Sequence, residues 1–186
     1  MKNKVSRQKY LYIQYKTRKF LLENKINILP TNLNKIANNM GWQLVPYSKL
    51  PALNVEKFIL MSKKATGFSV LLPSGQYVIF YDDNISETAQ RFTIAHEMGH
   101  IALRHFTKNQ KNRETQANIF AAKLLMPDCI LNECNIHSKN QIKTICNVNS
   151  NFARNMFFKL QKTKNNHITN IEYKLKKQFK NFINSL

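Results

Sequence analysis

The chain has 186 residues, of which 29 are Lys or Arg and 10 are Asp or Glu, so its formal net charge is +19. This length predicts one domain with a buried core, and the composition excludes a collagen-like or generally disordered chain. Because no run of about 18 apolar residues exists and no apolar segment follows the first seven residues, we expect neither a transmembrane helix nor a secretory signal. Three cysteines without paired spacing predict reduced thiols in a cytoplasmic protein.

The positive charge is concentrated towards the two ends of the chain. Residues 1–81 hold 13 basic and two acidic residues, and residues 134–186 hold ten and one, whereas residues 82–133 hold six and seven. Basic arms of +11 and +9 are typical of a weak association with nucleic acid. The alternative is a general abundance of lysine, which accounts for 23 of the 29 basic residues. In either case we expect the chemistry to lie in the near-neutral middle.

The first third of the chain predicts two helices and then a region without a clear pattern. Residues 4–25 lack Gly and Pro and carry apolar clusters, which favours a helix. Thr31 is placed to cap a second helix, whose apolar residues recur at helical spacing from Leu33 until Gly41 ends it. Residues 42–64 fit neither the helical nor the strand pattern.

A β-hairpin is predicted next. Residues 68–72 and 76–81 are β-rich runs separated by a Pro-Ser-Gly sequence, which is typical of a turn. We expect their apolar side chains to pack in the core. The edge of the second strand would then be available to pair with the main chain of an extended substrate.

The rest of the chain predicts a series of helices. Ser86 can cap a helix that runs to about His105, and a polar loop over 108–112 separates it from a helix over 113–126. The apolar stripe of this second helix comprises Ala117, Phe120, Ala121, Leu124 and Leu125. Further helices are predicted near 138–146, 150–161 and 169–184. Residues 142–154 have the rhythm of a helix–turn–helix, for which two small packed helices are the preferred interpretation.

One short motif in the middle of the chain predicts a metal site. His96 and His100 are four residues apart, which on a helix places them about 40° apart and one turn, about 6 Å, along the axis. Both imidazoles can therefore reach one ion. Neutral imidazole suits zinc, whereas manganese or iron is less common with these ligands. Glu97 lies beside the first ligand, where its carboxylate can act as the general base of an H-E-x-x-H site.

A catalytic zinc of this type needs a third protein ligand. Glu114 is the best candidate, because it lies one turn before the apolar stripe that is expected to pack on the motif helix. Asp128, Glu133 and His137 also carry suitable ligand atoms. A helix extending to His105 would place that residue about 180° from His96, which argues against ligation by His105. Tyr81 and His105 are candidates for a second oxyanion donor.

The motif and its surroundings resemble the ImmA/IrrE family of zinc metallopeptidases. The resemblance is carried by residues 91–100 and 114–127, and residues 29–41, 67–75 and 77–81 also fit the family. It covers roughly residues 29–127 and weakens at both ends. It implies zinc ligation by His96, His100 and a glutamate, and cleavage of a transcriptional repressor of a mobile element or stress regulon. The second family motif often carries two acidic residues two positions apart. Here the later position is Gln116, which leaves Glu114 as the available carboxylate.

These features together predict an α+β protein with a zincin-like core, a small antiparallel sheet, an active-site helix and mostly helical flanks. We expect a metallopeptidase domain over residues 1–136 and a basic helical segment over 137–186. The expected function is zinc-dependent cleavage of a specific cytoplasmic protein, with helix–turn–helix repressors as the substrate class. The competing hypothesis is a regulatory module that uses the same scaffold to bind DNA or a repressor without peptidase activity.

Overall fold

A computed structural model describes residues 5–50, 56–106, 112–162 and 169–186. Over these residues the chain is mostly helical with one three-stranded sheet, which confirms the α+β class. The predicted loop over 108–112 lies outside the described residues except for Asn112. The described helices are too short or too polar to cross a lipid bilayer.

The elements follow one another along the chain with these bounds. The first half contains α1 (Arg7–Glu23), α2 (Leu33–Met40), β1 (Gln43–Pro46), a short 3-10 helix (Tyr47–Lys49), α3 (Glu56–Ser62), β2 (Gly67–Leu71) and β3 (Tyr77–Tyr81). The second half contains α4 (Glu87–Ala102), α5 (Arg113–Leu125), α6 (Asp128–Leu131), α7 (Lys139–Cys146), α8 (Ser150–Lys162), α9 (Asn170–Gln178) and α10 (Lys180–Ile183). The predicted helix over 169–184 is therefore broken into α9 and α10 at Phe179.

The second helix ends where its sequence predicts but begins with a different cap. Gly41 follows α2 in the left-handed conformation, with φ of 67°, as a helix-ending glycine does. The side chain that caps its first turn belongs to Asn32, which accepts a hydrogen bond from the Lys35 amide. Thr31 is instead fully buried and donates its hydroxyl to the Leu124 carbonyl of α5. The prediction of a Thr31 cap is wrong because a tertiary contact takes up that hydroxyl.

The sheet is mixed rather than antiparallel. β2 and β3 form the predicted antiparallel hairpin, and β1 pairs with β3 in parallel, so the strand order is β1-β3-β2. β3 is consequently the central strand, and the prediction that it offers a free edge is wrong. In the described part of the chain no strand pairs with the outer edge of β2.

The two faces of the sheet pack on different helices. Phe68, Val78 and Phe80 form a small cluster with apolar side chains that include Phe58 of α3, as expected for core residues. Residues on the opposite face, such as Ile79, join the main core against α4 and α5. This alternation fixes which residues of β2 face α4.

Helices α4 and α5 pack closely against each other. The predicted apolar stripe of α5 is buried, with no member more than 1 % exposed. A Cβ placed on Gly99 would lie 3.2 Å from the Ala117 Cα and 3.2 Å from the Phe120 Cβ. The absence of a side chain at Gly99 therefore allows the two helices that carry the motif and Glu114 to approach each other.

The C-terminal helices share the main core with the first helix. Ile142, Cys146, Ala153, Leu175 and Phe179 are each fully buried and belong to the same cluster as Ile13 and Leu21 of α1. All three cysteines are free and buried, as expected for small apolar residues. Burial raises the pKa of Cys146 to about 12 and those of Cys129 and Cys134 to about 11.

Candidate metal centre

The fold brings His96, His100 and Glu114 together. Both histidines lie on α4, and Glu114 lies in the first turn of α5 with 63 % of its side chain exposed. The His96 Nε2 is 2.9 Å from the His100 Nε2. The Glu114 Oε2 is 3.2 Å from the His96 Nε2 and 3.4 Å from the His100 Nε2. Three potential ligand atoms thus form a nearly equilateral triangle.

The size of this triangle fits a tetrahedral zinc ion. Zinc binds nitrogen and oxygen ligands at about 2.0–2.1 Å, so two ligands of a regular tetrahedron lie about 3.3 Å apart. The three measured distances lie close to that value. Two imidazoles and one carboxylate also match the ligand set of catalytic zinc sites, which keep the fourth position open.

Hydrogen bonds behind the ligands set the orientation of the imidazole rings. The Nδ1 of His96 is 2.8 Å from the Asn118 Oδ1, and because an amide oxygen accepts only, the His96 Nδ1–H must donate. In neutral His96 the Nε2 therefore carries a lone pair. The Nδ1 of His100 is 3.1 Å from the Nδ1 of His105, and donation by His100 leaves its Nε2 in the same state. In this pair of tautomers three lone-pair atoms converge, an arrangement that a cation bound among them would stabilise.

The ionisation states of the two most perturbed ligands also suit a metal. Burial, together with the neighbouring His96, lowers the pKa of His100 to about 4, so His100 is neutral at pH 7. Burial alone would raise the pKa of Glu114, but His100 and His96 lower it below its usual value. Arg113, whose Nε is 3.3 Å from the Glu114 Oε1, acts in the same direction. Neutral imidazoles and a charged carboxylate are the forms that bind zinc.

Glu97 faces the sheet, beside the three candidate ligand residues. It is buried, and its Oε2 accepts a hydrogen bond of 2.6 Å from the Ser69 hydroxyl of β2. Burial raises the pKa of Glu97, and the bond from Ser69 and the nearby His96 oppose that rise. A carboxylate with a raised pKa, fixed by one oxygen, is suited to exchange a proton with a neighbouring group.

A cleft of about 340 Å³ opens beside this cluster. Its walls come from three places, namely the start of β2, the middle of α4 and the first turns of α5. The lining residues are Ala65, Thr66, Gly67, Phe92, Thr93, His96, Glu97, Glu114 and Asn118. His96, Glu97 and Glu114 are therefore accessible to a molecule that enters this cleft beside the start of β2.

The other ligand candidates lie elsewhere. The carboxylate of Asp128 is buried among Arg18, Lys123 and Lys159. Glu133 forms an ion pair with Lys176, and the exposed His137 is not part of the described metal-ligand cluster. Among the described residues, three ligand atoms converge at His96, His100 and Glu114.

His105 occupies a place that its sequence position does not predict. Helix α4 ends at Ala102, and Arg104 takes a left-handed conformation with φ of 57°, so the chain turns back. His105 is buried against the inner nitrogen of His100, and the argument from helical angle does not apply. Burial lowers the pKa of His105, and the side chain of Gln116, which is also buried, opposes that shift. His105 therefore contacts the candidate ligand His100 on the side away from Glu114 and is not among the residues that line the cleft. Tyr81, the other candidate for an oxyanion donor, lines a separate cleft with Gln90 and Arg91.

Sequence reasoning missed the two residues that hydrogen-bond to the motif. Asn118 follows Glu114 by four residues, which places both on one face of α5, so helical spacing could have indicated it. Ser69 lies on a strand that is 28 residues from Glu97, and nothing local in the sequence links the two.

One comparison with known proteins identifies a family. The model of the IrrE N-terminal-like domain, peptidase family M78, matches residues 50–155, which is more than half of the chain. The matched region contains β2, β3, the whole of α4 and α5, and the start of α8. No curated protein shows significant sequence similarity to this chain.

Proposed function

The chain belongs to peptidase family M78, the metallopeptidases of the ImmA/IrrE type, and from this premise we propose that it is a zinc-dependent endopeptidase of the cytoplasm. The observation that carries the proposal is the triangle formed by the Nε2 atoms of His96 and His100 and the Oε2 of Glu114. We assign these three residues as the zinc ligands in a zincin-like core.

The proposed zinc ion and the side chains around it have different roles in the reaction. A bound zinc ion supplies Lewis-acid chemistry, which polarises a carbonyl and makes water acidic enough to ionise near neutral pH. Asn118 holds the His96 ring through its Nδ1, and His105 contacts His100 in the corresponding way. Such contacts behind metal ligands keep the ligand nitrogen aimed at the ion.

Glu97 acts as the general base. Its Oε2 is held by Ser69, so the carboxylate has a defined orientation towards the cleft. It accepts a proton from the attacking water and delivers it to the nitrogen of the departing amine. The raised pKa of Glu97 favours the first of these transfers, because a carboxylate with a higher pKa is a stronger base.

The substrate binds as an extended segment along β2. The outer edge of β2 has no described strand partner, and its first residues line the cleft beside Glu97. Main-chain hydrogen bonds to an open strand edge hold a peptide without regard to its side chains. This replaces the predicted role of β3, which lies in the centre of the sheet.

The resemblance to the ImmA/IrrE family supports the proposed substrate class. We propose that the substrate is a helix–turn–helix repressor of a mobile element or stress regulon. The decisive experiment is co-expression with the product of a neighbouring helix–turn–helix gene, followed by intact-mass measurement. Wild-type chain should produce two fragments whose masses add up to the substrate plus one water.

The control is Glu97→Gln, which should leave the substrate intact while the variant retains its zinc. Cleavage by Glu97→Gln at the wild-type rate would contradict the role of this residue. An intact repressor that co-purifies with the wild-type chain would instead support the regulatory binding module.

A further inference from the structure

The stacked rings of Phe92 and Phe152 lie beside the proposed zinc ligands, and we call this pair the aromatic wall. Phe92 precedes His96 by one helical turn, and the centroids of the two rings are 6.4 Å apart. The ring of Phe92 stacks on that of Phe152 from α8, with centroids 4.7 Å apart and an angle of 19° between the ring planes. This stack restrains the Phe92 ring, so it forms a firm apolar surface on one side of the cleft.

Among the described residues that line the cleft, no charged group is left over to pair with a charged substrate side chain. Its ionisable lining residues are His96, Glu97 and Glu114, and the proposed function uses all three. The other lining residues are small, hydroxyl-bearing, amide or aromatic, namely Ala65, Thr66, Gly67, Phe92, Thr93 and Asn118. A charged side chain in this space would lose its hydration without gaining an opposite charge, whereas an apolar one gains from burial against Phe92.

We propose that this cleft selects a large apolar residue, such as Leu, Ile, Met or Phe, beside the scissile bond, and that Phe92 is the residue that determines this specificity. Phe152 positions Phe92 and does not itself line the cleft. The proposal rests on the proposed peptidase function and adds the class of side chain that the same site recognises.

This specificity restricts which proteins can be cleaved. Large apolar residues are mostly buried in folded proteins, so a segment that offers one to the cleft in extended form must lie in an exposed linker or a locally unfolded region. The enzyme therefore discriminates between conformations of its target as well as between sequences.

Binding of peptide hydroxamates tests the proposal directly. Three compounds that differ in one side chain, Leu, Gly or Asp, are titrated by calorimetry into the full-length, zinc-loaded chain. The Leu compound should bind at least about tenfold more tightly than the other two. The free energy gained by burying a leucine side chain exceeds the free energy that corresponds to a tenfold change in affinity. Equal affinity for the three compounds would overturn the proposal.

The same titration separates failure of this proposal from failure of the proposed function. Hydroxamates chelate zinc, so a chain that takes up no zinc and binds none of the compounds contradicts the peptidase itself. Binding of all three compounds with equal strength leaves the peptidase intact and removes only the specificity.

Variants of the aromatic wall complete the test. Phe92→Ala should reduce the preference for Leu over Gly to less than about threefold, and Phe92→Leu should retain most of it, since burial of an apolar surface drives the preference. Phe158→Ala is the matched control, because Phe158 lies on the same helix as Phe152 but is 57 % exposed. A full Leu preference in Phe92→Ala would overturn the assignment of Phe92.

Discussion

Ser69 and Glu97 show how a strand and a helix cooperate in one side-chain contact. Ser69 lies on the face of β2 that is turned towards α4, and its hydroxyl is 2.6 Å from the Glu97 Oε2. Hydrogen bonds to charged groups contribute about 1.5–3 kcal/mol, enough to hold a carboxylate in one orientation. We therefore treat Ser69 as a positioning residue for the general base.

Replacing Ser69 should slow catalysis without removing the metal. In Ser69→Ala, Glu97 loses its fixed orientation, and we expect kcat for the cleaved repressor to fall about tenfold, in line with the energy of such a bond. Zinc content, measured by mass spectrometry of the metal, should stay at the wild-type level. Ser74→Ala, in the exposed hairpin turn, is the control. Wild-type kcat in Ser69→Ala would show that the bond is incidental.

For individual residues, the sequence indicates which candidate ligands come together better than it indicates the contacts behind them. His96, Glu97 and His100 follow from spacing within one helix, and Glu114 follows from an apolar stripe on the next. The contact of Ser69 with Glu97, and that of His105 with His100, depend on how β2 and the turn after α4 pack. The chain turns at Arg104, which has a positive φ. A glycine at this position would have indicated the turn in the sequence, but an arginine does not.

The packing of α4 on α5 sets the distance between the two halves of the candidate metal site. In Gly99→Ala the new methyl group would lie 3.2 Å from backbone atoms of Ala117, so the helices must separate slightly. The strain should cost about 1–3 kcal/mol, against a gain of about 1 kcal/mol in helix preference. Because the movement separates His100 from Glu114, zinc affinity should fall. Chelator competition measures it, and unchanged affinity would refute this link between packing and the metal site.

A buried ion cluster joins the C-terminal helices to the rest of the molecule. Asp128 of α6 pairs with Arg18, Lys123 and Lys159 on three other helices, and Arg18 continues to Glu172 of α9 at 2.7 Å. Burial opposes ionisation of Asp128, but these cations hold its pKa below the ordinary range. The charged form therefore stabilises the fold above about pH 4, and this contribution is lost as the pH falls through the folded-state pKa.

Asp128→Asn should accordingly destabilise the protein by about 3–5 kcal/mol at pH 7, because it leaves buried cations uncompensated. The variant should also lose less stability than wild type when the pH falls from 5 to about 2, since its group at 128 no longer titrates. Urea unfolding at each pH measures both effects. Glu23→Gln, which removes an exposed pair with Lys19, is the control and should change stability by less than about 1 kcal/mol. Equal pH dependence in wild type and Asp128→Asn would contradict the account.

Among the helices and strands, the sequence predicts those whose formation depends on residues that are near one another in the chain. The hairpin and α5 carry their signals within a few residues, as a turn sequence and an apolar stripe. β1 has four residues, ends in Pro46 and forms only by pairing with β3, which begins more than 30 residues later. Such a strand has no pattern of its own, and this is why the sheet is mixed where an antiparallel one is predicted.

In the molecule as a whole, most of the positive charge lies outside the segment that holds the proposed catalytic residues. Most of the basic residues lie outside residues 82–133, which contain the candidate ligands and Glu97. A net charge of +19 far exceeds what solubility requires of a small domain and favours association with polyanions. We propose that the basic arms bind nucleic acid weakly and without sequence preference, which would bring the peptidase close to a DNA-bound substrate.

Weak nucleic-acid binding has a specific salt signature. Binding of a labelled DNA duplex, followed by anisotropy, should weaken at least about a hundredfold between about 50 and 200 mM salt, as phosphate contacts require. Reversing charge at the exposed Lys174, Lys177 and Lys180 should weaken binding at low salt. Absence of binding at low salt would leave the lysine content without a role in recruitment.

We propose that His96, His100 and Glu114 bind one zinc ion that supports hydrolysis with Glu97 as the base. The most direct measurement is the zinc content of the purified chain after dialysis against a weak chelator. We expect close to one zinc per chain in the wild type and in Glu97→Gln, and a large loss of zinc in Glu114→Gln. A wild-type chain without zinc, or a Glu114→Gln variant that retains a full equivalent, would contradict this proposal.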